Sequence, residues 1–201
     1  MCIRDRNDFA QITTPAGEAV YPKLRSTEVF DGEDTGKYVC GIKLSKEDTD
    51  KLIQRIENEW EMAKKSPDFD GKRYGRNSAP ALGFHEDKDG DIVFKAKTNA
   101  VIKTKAGDVI EKTMAVFDKK GKPMDEEMEV GNGSTIRLCM LLRPFYASAT
   151  VYGIQLLLKA VQVLNYVAPA AGAVSADDCG FDVEEEFDED KVPFADEGAD
   201  F

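Results

Sequence analysis

Apolar residues fall at every second position in four stretches of the chain, and period two is the spacing of a β-strand with one buried face. From Lys37 to Leu44, Tyr38, Cys40 and Ile42 share one side while Lys37, Val39, Gly41 and Lys43 share the other. From Asp91 to Thr98, Ile92, Phe94, Ala96 and Thr98 alternate with Val93, Lys95 and Lys97. Ser134 to Leu142 alternates again, with Ile136, Leu138, Met140 and Leu142 on one side. Thr150 to Val163 is a long strand whose apolar phase changes: Tyr152, Ile154, Leu156 and Leu158 are followed by Val161 and Val163. That change predicts a bulge near Lys159-Ala160, of the kind strongly bent barrel strands need.

A shorter β-compatible run, Glu18 to Leu24, is interrupted by Tyr21-Pro22, which predicts an edge strand or a bulge because proline has no N–H for the ladder. Ser45 to Lys65 switches to helical spacing. Leu52, Ile53, Ile56, Trp60 and Ala63 form one stripe, Ser45 is placed to cap, Glu47 and Asp48 occupy the first turn, and Ser66-Pro67 ends the element. Trp60 on that stripe is expected in the core. Asp89-Gly90 between β-like runs predicts a hairpin turn. Asp87 to Asp91 does not continue as a calcium loop, since no glycine follows Asp91 and Thr98 stands where the bidentate glutamate belongs. Phe69 to Pro80 reads as a mobile loop bearing Lys72, Arg73 and Arg76, and Asp118 to Gly133 as a turn-rich insertion.

Charge divides the 201 residues unevenly. Residues 177–201 hold 12 of the 38 carboxylates and 1 of the 27 cations, so 26 of each sign remain in residues 1–176 and the formal charge of −11 belongs to the tail. A segment so charged and without an apolar face cannot offset its ordering entropy, so a disordered tail is expected. Phe181, Phe187, Phe194 and Phe201 are spaced along it, which suits an interaction arm; a solubilising tail is the alternative. The expected organisation is a non-native or disordered leader over 1–8, resembling translated adapter sequence, a β domain over 9–167, a linker over 168–176 and the acidic tail over 177–201.

Within the neutral body, Lys95, Lys97, Lys103, Lys105 and Lys112 stand against Asp108 and Glu111 between positions 92 and 112, a local positive surface. Period two places Lys95 and Lys97 on one face at roughly 6 to 7 Å, close to the phosphate spacing of an extended strand. Arg143-Pro144-Phe145-Tyr146 sets two aromatics beside an arginine. Enzyme requirements are poorly met: one histidine (His85), no glycine-rich phosphate loop and no serine elbow. Cys2, Cys40, Cys139 and Cys179 are isolated, so neither a zinc site nor a disulfide framework is expected. No cofactor or metal is implied. With no apolar run near the roughly 18 residues of a membrane span, a cytoplasmic protein is expected.

Several stretches together resemble the single-stranded DNA-binding proteins of short-tailed bacteriophages. They are Gly17 to Leu24 with Tyr21-Pro22, Phe94-Lys95-Ala96-Lys97, Val116 to Met124, Val130 to Ser134 leading into the Arg137 strand, Leu141 to Phe145, Gly153 to Leu156, and the tail ending Asp200-Phe201. The resemblance implies an OB-fold: a mainly β, five-stranded antiparallel barrel with one amphipathic helix and an acidic tail. It also implies non-sequence-specific binding of single-stranded DNA in phage replication and recombination within the host cytoplasm. On that reading, phosphates lie along Lys95, Lys97, Lys103, Lys105, Lys112, Arg137 and Arg143, and rings among Phe94, Phe145, Tyr146 and Tyr152 stack bases. The tail, through Asp190, Phe194, Glu197, Asp200 and Phe201, would compete with DNA and recruit a phage DNA polymerase and a helicase/primase, with a tail-exchanged homodimer left open. The alternative is a phage structural or small-ligand-binding barrel with a solubilising tail.

Overall fold

The strand pattern closes on itself in a computed structural model that describes residues 9–76, 78–103 (Lys103 by its backbone) and 108–169. The expectations for the leader, for Lys105, for the Lys103 side chain and for Asp190, Phe194, Glu197, Asp200 and Phe201 lie outside the described residues.

In chain order the elements are β1 (Ala10–Thr13), β2 (Gly17–Lys23), β3 (Val29–Phe30), β4 (Glu33–Asp34), β5 (Lys37–Lys43), α1 (Lys46–Lys64), β6 (Phe84–Glu86), β7 (Ile92–Asn99), β8 (Val101–Lys103), β9 (Val109–Glu111), β10 (Ala115–Phe117), β11 (Thr135–Ser148) and β12 (Val151–Asn165). Five long strands make the barrel: β2 pairs β5, β5 pairs β7, β7 pairs β12, β12 pairs β11, and β11 returns to β2. This is an OB-fold arrangement, with four antiparallel contacts and one parallel contact where Leu157 lies opposite Lys97. β1 adds to β11, β10 adds to β12, and the β3–β4 and β8–β9 pairs stand as separate two-stranded ribbons.

Alternation decides which residues fill the barrel. Cys40, Ile42, Phe94, Ala96, Ile136, Leu138, Met140, Leu142, Ile154, Leu156 and Leu158 are essentially inaccessible, and Val161 and Val163 follow in the shifted phase. The shift has the expected cause. Cys139 lies opposite Ala160 and Met140 opposite Leu158, leaving Lys159 without a partner position on β11. A second irregularity falls between Val20 and Lys23, so Tyr21 and Pro22 form a bulge in a strand paired on both sides. Tyr21 takes φ 45°, and its N–H donates to Asn132 Oδ1 at 2.6 Å.

α1 begins where expected, the Ser45 hydroxyl accepting the Asp48 N–H at 3.3 Å. It lays Thr49, Leu52, Ile56, Trp60 and Ala63 against the barrel, where it meets β11 and β12. Trp60 is a core residue, as its place on the stripe requires, and organises an aromatic cluster. It stacks on Tyr152 at 5.6 Å between centroids and takes Phe69 and Tyr74 edge-on at 5.7 and 6.0 Å. Those last two rings belong to the loop after the helix, so the loop expected to be mobile is pinned to the core. Tyr74 also packs edge-on to Tyr152, and the Gly75 N–H donates to Ala149 O at 2.8 Å.

Candidate nucleic-acid interface

Lys95 and Lys97 project from the outer face of β7, opposite Gly41 and Val39 of β5. Beyond β7 the surface drops into a depression of about 550 Å³ whose lining includes Lys95, Lys97, Leu82, Phe84, Phe145 and Gln155. Phe145 reaches it from β11, where it lies opposite Gly153, while Phe84 comes from β6 with its ring tilted on Phe94 at 5.6 Å. Two cations and two half-buried rings therefore share one concave surface.

A glycine makes that surface possible. At Gly153 the segment before β6 crosses β12, the Ala81 N–H donating to Tyr152 O and the Ile154 N–H to Ala81 O, each at 2.8 Å. Gly153 has φ 144°, and a Cβ there would lie 2.0 Å from Ala81 O. Gly153→Ala is expected to destabilise the domain by about 1–3 kcal/mol, the cost of forcing atoms into a filled site. Urea unfolding checks this, and an unchanged midpoint would contradict it.

On its other side Phe145 borders a second depression, about 380 Å³, shared with Arg143, Tyr146, Lys72 and Phe9. The Lys72 ammonium sits 5.1 Å from the centroid of the Tyr146 ring. The Tyr146 hydroxyl donates to Arg73 O at 2.8 Å, and its ring stacks at 6.4 Å on Tyr152. Tyr146 thus serves first to hold the basic loop. Cations line both depressions that Phe145 borders, Lys95 and Lys97 in the first and Arg143 and Lys72 in the second, with Asp68 beside the latter pair.

The opposite flank is acidic. Lys95 also borders a depression of about 570 Å³ with Glu18, Glu28, Glu86, Asp87, Asp89 and Tyr21 around it. There Lys43 is held by Asp87 and Asp91, which push its pKa up, the hydrogen bond it donates to Asp87 being the largest cause. The same hydrogen bond holds the Asp87 carboxyl below its usual range. This depression is slightly larger than its neighbour, but its carboxylates outnumber its cations and oppose a polyanion.

Two of the expected stacking residues are core residues instead. Phe94 is fully buried on the inner face of β7, and Tyr152 is 5 % exposed inside the Trp60 cluster, its hydroxyl donating to Ser78 O at 2.6 Å. Neither offers a ring face to a base. Arg137 is exposed but stands eight residues from Phe145 along β11, on the order of 26 Å at the strand rise, in a separate depression beside Phe117 and Gln162. The strand carrying Lys95 and Lys97 ends at Asn99, so Lys103 and Lys112 belong to the β8–β9 ribbon and its exit. The Lys112 ammonium donates to Thr98 Oγ1 at 3.3 Å, on the other side of β7 from Lys95 and Lys97. Sequence reasoning missed Phe84, which carries no local signal, and left Lys72 in a loop whose position only packing fixes.

A family model described as "Single-stranded DNA-binding protein, Bacteriophage T7" matches residues 23–166. Among solved structures, the crystal structure of gp2.5, a single-stranded DNA binding protein encoded by bacteriophage T7, is similar with a TM-score of 0.61 at 19 % identity, over 82 % of this chain and 97 % of that one. The single-stranded DNA-binding protein from bacteriophage Enc34 in complex with ssDNA is similar with a TM-score of 0.58 at 13 % identity, over 80 % of this chain and 89 % of that one. No curated protein sequence matches. At these identities the structural likeness is one of fold.

Proposed function

Because the chain belongs to the family of the bacteriophage T7 single-stranded DNA-binding protein, we propose that DNA runs along the outer face of β7 and over Phe145 to the basic loop. The observation that carries this reading is the single depression shared by Lys95, Lys97 and Phe145. Phosphates pair with Lys95, Lys97, Arg143 and Lys72, and bases stack on Phe145 and Phe84. Stacking is worth about 1–3 kcal/mol per base and accepts any base, so binding has no sequence preference. Tyr146 acts mainly by holding Lys72 and Arg73 in place, and Arg137 is reached only by a longer oligonucleotide.

The acidic tail, residues 177–201, is the second polyanion. In this reading it competes for the same cations through its carboxylates and phenylalanines. When DNA displaces it, Asp190, Phe194, Glu197, Asp200 and Phe201 are released to recruit replication partners, a DNA polymerase and a helicase/primase, or the cleft of a second copy in a homodimer. Removal of residues 177–201 is expected to tighten oligo-dT binding by about tenfold at low salt, the gain shrinking as salt screens both polyanions. Fluorescence anisotropy across a salt series measures it. Equal affinities with and without the tail at low salt would rule out competition, and a flat salt response of the whole protein would favour the structural or small-ligand barrel instead.

A further inference from the structure

Lys95 already has an anionic partner. Its ammonium lies 2.7 Å from Glu28 Oε1, an ion pair spanning 67 positions of sequence. Glu28 is held there by the backbone. Its own N–H donates to Lys37 O at 2.8 Å, and its carbonyl accepts the Thr35 N–H at 2.8 Å, at the base of the β3–β4 ribbon. The Glu28 side chain is the less accessible partner, 23 % exposed against 45 % for Lys95. The pair stands where the acid-lined depression meets the one lined by Phe84 and Phe145, and Lys95 borders both.

Resting on the DNA track proposed above, we propose that Glu28 is a built-in phosphate surrogate on Lys95, an anion that the DNA backbone must displace before Lys95 can contribute to binding. The Glu28 carboxylate takes one of the three ammonium donors at 2.7 Å and offsets its charge, so a phosphate meets a weaker attraction at Lys95, and repulsion from Glu28, for as long as the pair holds. Glu28 therefore weakens binding while marking the acidic edge of the track, and it moderates affinity independently of the tail.

The test is a double-mutant cycle with oligo-dT on the full chain. Glu28→Gln removes the competing charge and is expected to tighten binding about two- to fivefold at low salt, the scale of an exposed ion pair. It is also expected to steepen the plot of log affinity against log salt by up to about 0.7, one further effective phosphate contact on a single strand. Lys95→Gln is expected to weaken binding, and in that background Glu28→Gln is expected to change nothing, because its effect passes through Lys95. Glu28→Ala should reproduce the gain, which separates charge removal from any effect of the glutamine amide. A Glu28→Gln protein with unchanged affinity, or one whose gain persists in the Lys95→Gln background, overturns the proposal while leaving the track intact. A Lys95→Gln protein that binds as tightly as the wild type overturns the track itself and the surrogate with it.

Discussion

Phe145→Ala is expected to weaken oligo-dT binding by roughly 5- to 150-fold, the loss of about 1–3 kcal/mol of stacking on one base. The ring is half-buried between the depression holding Lys95 and Lys97 and the one holding Arg143 and Lys72, so it sits at the middle of the proposed path. The substitution removes no charge, and the salt dependence should therefore stay as in the wild type while affinity falls at every salt concentration. That combination separates stacking from phosphate pairing, because Lys97→Gln should do the reverse and flatten the salt response. Phe145→Trp should retain binding. Phe145→Leu keeps most of the apolar volume packed against the barrel and should lose affinity without losing the fold. Anisotropy titrations at two salt concentrations decide the matter: an alanine variant within a factor of about two of the wild type would remove Phe145 from the interface.

Trp60→Ala is expected to cost about 3–5 kcal/mol of stability, the range for truncating a buried large aromatic. For a domain of this size the corresponding fall in Tm is about 6–20 °C. Trp60 is 4 % exposed and touches three rings, Phe69, Tyr74 and Tyr152, so its removal empties the junction between α1, the barrel and the basic loop. Two of those rings flank Lys72 and Arg73 in sequence. Freeing them should raise proteolytic sensitivity between Pro67 and Pro80 before the barrel itself unfolds. Trp60→Phe should recover most of the stability. Chemical unfolding that showed a loss under about 1 kcal/mol would mean that the cluster is decorative.

The strands were legible because side-chain alternation is a local consequence of backbone geometry, whereas their closure into a five-stranded barrel was implied only by the resemblance. The inner faces of β5, β7, β11 and β12, the α1 stripe and the Lys159 bulge follow from spacing, and the turn with Gly90 at φ 85° follows from the Asp89-Gly90 dipeptide. The same rule already set Phe94 and Lys95 on opposite sides of β7. Which side faces the core is decided by barrel closure, and that is why Phe94 and Tyr152 are interior residues and not stacking platforms. The resemblance marked Phe145, but only the pairing of β7 with β12 and of β12 with β11 carries that residue next to Lys95. Likewise no local pattern tells that Glu28 reaches Lys95, since the contact depends on how the β3–β4 ribbon is anchored to Lys37. By itself the sequence determined strand faces, helix, bulge and the segregation of charge into the tail, all properties of neighbouring residues. Tertiary structure decided which cations and rings share a surface, because that depends on contacts between segments dozens of residues apart.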